Sequence, residues 1–158
     1  MSKDINPGCN EPKTISFYAG IAGVKMLGET TGAVRVLLRL EGFCMLIAAC
    51  IAYAKLDLDW STFAIYFLVP DISLLGYFAG AKVGAISYNT AHSYLGAIAS
   101  LVIGVTVPSP ALQCAGLIWC AHIGFDRALG YGLKYPEGFG FTHLGRIGRL
   151  AVKHSDVQ

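Results

Sequence analysis

Charge is scarce in this chain. Only 14% of its 158 residues are Asp, Glu, Lys or Arg, against about 25% in an average soluble domain. No charged residue occurs between Lys82 and Asp126. That scarcity argues against an ordinary water-exposed surface. The net charge of +2 is too small for a nucleic-acid partner, and no basic cluster interleaved with aromatics is present. No C-x-x-C pair occurs among Cys9, Cys44, Cys50, Cys114 and Cys120. Four of the five lie in apolar stretches and read as small buried hydrophobes, not as a metal or disulfide framework. No linker is long enough to separate two domains. A basic start followed by an apolar core is also missing: Asp4, Pro7, Glu11 and Pro12 fall within residues 1–13, which do not read as a secretory signal.

What the chain does have is long apolar runs and glycine: 54% hydrophobic residues and 19 glycines. A bilayer core about 30 Å thick needs roughly 20 apolar residues in a helix. Four segments qualify, at about 36–54, 60–79, 83–105 and 111–133, the last two divided by Val107-Pro108-Ser109-Pro110. The expected fold is therefore all-α, an integral membrane bundle of four transmembrane helices. Residues 1–32 form an N-terminal extension, partly interfacial or disordered. Residues 33–149 are the membrane domain with a C-terminal Gly/aromatic segment, and 150–158 are a tail. Four spans put both termini on one side. Lys3, Lys13, Lys25, Arg35, Lys82, Lys134, Arg146, Arg149 and Lys153 lie on that side, and Lys55 alone lies opposite. The positive-inside rule then makes both termini cytoplasmic.

Each span carries polar groups: Arg39 and Glu41, then Asp71, then Asn89 and His92, then His122, Asp126 and Arg127. At about 1.5 Å per residue, all fall roughly 6–17 Å above the inner ends of their helices, in one cytoplasmic-side layer. His122 and Asp126 are four residues apart, and Asn89 and His92 three, so each pair shares a helix face. Pro70 frees a backbone carbonyl beside Asp71, and Tyr77 adds a hydroxyl on the same helix. With both histidines neutral, Arg39 and Arg127 against Glu41, Asp71 and Asp126 leave the layer one negative charge, which a proton or a bound cation would balance.

Buried charges in a membrane span mark a function or a partner. Asp71, His92, His122 and Asp126 are the candidate catalytic group and the candidate ligands of a divalent Zn, Mn or Fe ion, since imidazole and carboxylate suit those metals. Without metal, His122 and Asp126 offer acid–base chemistry. Arg127, Arg39, Glu41, Asn89, Tyr77 and His143 are candidate substrate-binding residues, with a lipid-like substrate entering from the bilayer. Two further readings stay open. The layer is a structural ion-pair network in a membrane subunit or lipid-binding module, or a proton or ion path in a homo-oligomer or larger complex.

The stretches LLRLEG at 37–42, PDISLLGY at 70–77, YNTAHSY at 88–94 and HIGFDRALGYGLKYPEGFGFTHLGRIGR at 122–149 resemble the small bacterial membrane proteins grouped as domain of unknown function 4260. The resemblance covers about residues 33–149. It implies a compact helical protein of the bacterial inner membrane, and it implies no activity.

Overall fold

The computed structural model describes Thr30 and residues 32–147, with Arg146 as backbone only. The expected N-terminal extension, apart from Thr30 and Gly32, and the tail at 150–158 lie outside the described residues. The chain is mostly helical. Helix α1 spans Gly32–Lys55 and α2 spans Trp60–Tyr66. A 3-10 helix covers Val69–Ala79. Then come α3 at Ala81–Ala91, α4 at Tyr94–Thr106 and α5 at Pro110–Leu129. Two short antiparallel strands follow, β1 at Phe141–Thr142 and β2 at Gly145–Arg146. This hairpin is a small departure from an all-α chain. Two stretches, Gly32–Lys55 and Trp60–Ala79, are long and apolar enough to cross a membrane.

The expected helix at 60–79 changes character midway. Its N-terminus is set by Asp59, whose carboxylate accepts from the Ser61 and Thr62 amides at 3.2 and 2.8 Å. Those bonds hold the Asp59 carboxyl below its usual range. Pro70 has no amide to donate, so the α-helical ladder lapses after Tyr66 and the chain continues as a 3-10 helix. Runs of 3-10 helix longer than about four residues are uncommon; this one has 11. It lies against α3 through Gly76, where a Cβ would come within 2.7 Å of Ser87, and through Gly84, where a Cβ would strike the Tyr77 ring. The Ser87 hydroxyl donates to the Ser73 carbonyl at 3.0 Å. Gly80 serves the turn instead: its φ of +112 carries the chain from the 3-10 helix into α3.

The expected single span at 83–105 is two helices, because the backbone breaks at His92-Ser93. Asn, Thr, His and Ser in this stretch are indifferent helix formers, and tertiary partners take up the freed carbonyls. The Trp119 indole N–H donates to the Ala91 carbonyl, and Arg127 Nη2 donates to the His92 carbonyl at 3.1 Å. The Pro108–Pro110 turn falls as expected, with Ser109 as N-cap and Pro110 in the first helical turn of α5.

Helix α5 is the axis of the fold. Gly116, Leu117, Ile118 and every residue from Cys120 to Gly124 are buried. At Gly124 a Cβ would stand 2.7 Å from both the Gly42 carbonyl oxygen and the Leu46 amide, so α5 and α1 meet backbone to backbone. Gly116 leaves room for the Leu101 side chain and the Ala97 carbonyl of α4. The helix stops at Leu129, four residues before the expected end. Gly130 adopts φ 97, and the Gly130 and Tyr131 amides bond back to Arg127 and Asp126. The Gly/aromatic segment then folds back on the bundle. Thr30 donates to the His143 carbonyl at 2.8 Å, and Leu133 and His143 exchange bonds.

Candidate functional site

Three elements deliver one cluster of four side chains. Asp71 comes from the first turn of the 3-10 helix, and His92 caps the end of α3. His122 and Asp126 stand one turn apart on α5. His92 Nε2 lies 3.1 Å from His122 Nε2, 3.3 Å from Asp71 Oδ1 and 3.4 Å from Asp126 Oδ2. His122 Nε2 lies 3.6 Å from Asp71 Oδ1. All four donor atoms fall within 4.8 Å of one another. Both histidines are buried; Asp126 retains 15% of its side-chain exposure and Asp71 37%.

The surroundings set the protonation pattern. His92 Nδ1 faces the Tyr88 carbonyl at 3.0 Å. A carbonyl only accepts, so Nδ1 carries the hydrogen and Nε2 turns a lone pair toward the cluster. The Tyr88 ring stacks on the His92 ring at 3.7 Å, and its hydroxyl donates to Asp126 Oδ2 at 2.9 Å. Tyr88 thus orients one histidine and one carboxylate at once. His122 stands edge-on to Phe67, with Nδ1 buried and unpartnered among the described residues. The 3.1 Å contact needs one hydrogen between the two imidazole nitrogens, and the two carboxylates beside them favour a proton or a cation at the same point. For metal–N and metal–O bonds of about 2.0–2.2 Å, a tetrahedral shell has edges of about 3.3–3.6 Å. The measured separations straddle that range.

Two cavities flank the cluster along α5. Toward the start of the helix lies an apolar space of about 530 Å³, walled by Tyr66, Val69, Pro70, Ala91, Ile118 and Trp119. Toward its end lies one of about 350 Å³, bordered by Asp71, Tyr88, Asp126, Tyr131, Lys134 and Phe139.

The remaining candidates separate from this group. Arg127 holds the His92 carbonyl and borders a third cavity with Glu41, Tyr94 and His143. Arg39 is exposed and donates to the Ala128 carbonyl at 2.8 Å, capping α5. Glu41 is exposed on α1. The single layer expected across all four spans is therefore a cluster of four plus a separate basic face, because α1 meets α5 through Gly42 and Gly124 and turns Arg39 and Glu41 away. Asn89 is structural: its amide donates to the Lys134 carbonyl at 2.9 Å and its oxygen accepts the Lys134 N–H at 2.7 Å. Tyr77 packs its ring on Phe139 and against Gly84. His143 Nδ1 accepts the Leu133 amide at 2.8 Å; burial, with Arg127 nearby, holds its pKa below the usual value.

Lys134 is the residue that sequence reasoning passed over as one more cytoplasmic-side charge. It is only 3% exposed. Nothing local marks it. Its place depends on Asn89, 45 positions earlier.

The family model described as Domain of unknown function (DUF4260) matches residues 35–147, and the chain belongs to that family. Neither a curated protein nor a solved structure matches the chain.

Proposed function

From that membership, which carries no activity, we propose that the protein is a metal-dependent enzyme of the membrane. Asp71, His92, His122 and Asp126 would hold one divalent ion, Zn, Mn or Fe, beside a lipid-like substrate. The observation that carries the reading is the convergence of the four donor atoms within 4.8 Å of one another, with His92 Nε2 3.1–3.4 Å from the other three. Tyr88 supplies the outer support such sites need: a carbonyl that fixes the His92 tautomer and a hydroxyl that orients Asp126.

The membrane setting rests on an inverted distribution of polarity. Large apolar side chains face outward, with Phe78 at 91% and Leu95 at 81% exposure, while histidines lie inside. Helix α1, with 24 residues at about 1.5 Å each, exceeds the roughly 30 Å of a bilayer core. The segment 60–79, the broken pair α3–α4 and α5 complete a four-span bundle in the cytoplasmic membrane, with both ends cytoplasmic. Breaks at His92-Ser93 and Phe67-Leu68 are tolerated at membrane depth because protein groups meet the freed backbone.

A bound divalent ion that admits a fifth ligand would supply Lewis acidity to a carbonyl or phosphoryl oxygen, in a hydrolysis in which water's oxygen bonds to the carbon or phosphorus. The bond to the leaving oxygen breaks, and the leaving oxygen takes a proton. Asp71 is the most exposed of the four and borders the 350 Å³ cavity. With one carboxylate oxygen on the ion, its other oxygen is the group placed to receive the water's proton and pass it on. The 530 Å³ apolar space beside Pro70 and Trp119 suits a hydrocarbon chain entering from the bilayer.

The test is metal analysis of detergent-solubilised protein prepared without a histidine tag. About one divalent ion per chain is expected, lost in His122→Gln and Asp126→Asn variants that still elute as folded protein. A folded wild-type sample that takes up none of Zn, Mn or Fe(II) on titration overturns the reading.

A further inference from the structure

A buried ammonium normally finds partners or reaches back to water. Lys134 does neither. Its side chain is 3% exposed, and its Nζ has no hydrogen-bond partner among the described residues. Its backbone is clamped by both bonds to Asn89 and by a bridge to Thr142. The tip stands over the Phe139 ring at 3.9 Å, over Tyr88 at 4.9 Å and near Tyr131 at 5.7 Å. Ring faces attract a cation but accept none of its three N–H bonds in the directed way an oxygen does. The result is a rigidly rooted positive charge with donors to spare, on the wall of the 350 Å³ cavity that also presents Asp71 and Asp126.

The charge of that cavity depends on the cluster. Two carboxylates and one ammonium leave it one negative, and a divalent ion would leave it one positive. The loaded cavity thus attracts an anion that the empty one repels. Lysine serves phosphate as a point charge, and a phosphoryl group has enough oxygens to address an ion and an ammonium together. The neighbouring apolar space gives such a head group somewhere to put a chain.

We propose that Lys134, together with the metal-loaded cluster, binds the anionic phosphoryl group of the substrate, which makes the substrate class a phosphate-bearing amphiphile. This rests on the metal reading above and names its substrate. Lys134 is a binding residue, and its ammonium is set to hold phosphoryl oxygens as negative charge develops on them.

The experiment titrates metal-loaded, detergent-solubilised full-length protein by calorimetry with inorganic phosphate, dihexanoyl phosphatidic acid and hexanoate. Lys134→Met, which keeps the length and apolar stem of the side chain, is run beside wild type. Lys134→Met should retain the wild-type metal stoichiometry and bind dihexanoyl phosphatidic acid at least tenfold more weakly. Wild type should bind that lipid more tightly than inorganic phosphate if the chain contributes; equal affinities would assign the site to free phosphate with its phosphoryl chemistry intact. Unchanged lipid affinity in Lys134→Met, or hexanoate binding as tight as the phosphate ligands, overturns the proposal while the metal site stands. Wild type that binds no metal overturns both.

Discussion

The two halves of α5 pack in opposite ways. In the first half, Leu117 and Ile118 join Tyr53, with Phe63, Leu101 and Cys114 around them. Polar groups there are satisfied within the chain: the Tyr53 hydroxyl donates to the Asp59 carbonyl at 2.6 Å, and the Gln113 amide to the Gly104 carbonyl at 2.8 Å. In the second half, the same helix meets His92, Asp71, Tyr88 and Lys134. His122 Nδ1, Arg127 Nη1 and Lys134 Nζ are buried there without a partner among the described residues. Native interiors leave few such atoms. The first half bonds its polar groups within the chain, whereas the second gathers ionisable side chains, several with a polar atom left without a partner among the described residues.

That contrast can be broken from either side. The largest effect belongs to the dry half. Leu117→Ala should cost about 2–5 kcal/mol, as core cavities do, and leave metal stoichiometry unchanged, as read by thermal unfolding and metal analysis. Loss of metal in a folded Leu117→Ala protein would show that the halves are not independent. Tyr88→Phe is the converse. It removes one hydroxyl from Asp126 and keeps both the stacked ring and the carbonyl that orients His92. Metal affinity should fall about 10–100-fold, the usual cost of losing an outer partner of a ligand, while thermal stability without metal moves little. Equal losses in both measurements would make Tyr88 a packing residue.

The third effect is a pH dependence. Burial pushes the Lys134 ammonium down to about 8, against an opposing pull from the Asp126 charge. A depressed lysine means that the unfolded chain binds more protons between the folded pKa and the ordinary value of 10.5. Stability therefore rises with pH across that window. Lys134→Met should be more stable than wild type at pH 7, and the gap should close as pH approaches 10.5. A constant gap across this range would mean that the ammonium is not desolvated in solution.

Much of this was legible in the residues. His122 and Asp126 share a face by helix periodicity alone, and Pro108-Ser109-Pro110 marks its turn by missing amides. Asp71, His92, His122 and Asp126 stand out as ionisable groups in apolar runs. The break at His92-Ser93 was not legible, because the partners that complete it, Trp119 and Arg127, are 28 and 35 positions away. Nor was the 3-10 helix, whose geometry depends on contact with α3 through Gly76 and Gly84. Arg39 and Glu41 show the limit from the other direction. Depth along a helix follows from counting residues, but the direction a side chain faces depends on which neighbour the helix meets.

The sequence by itself determined the apolar segments, the Pro108–Pro110 turn and the family, and it marked Asp71, His92, His122 and Asp126 as candidates. Those follow from hydropathy, backbone chemistry and a fixed rise per residue, all of them local. Tertiary structure decided which polar groups meet. Close approach at Gly42 and Gly124 directs Arg39 and Glu41 outward, and two bonds from Asn89 carry Lys134 to the wall of the cavity. Contacts between residues tens of positions apart are set by how closely backbones can pack, and no periodicity along the chain encodes that distance.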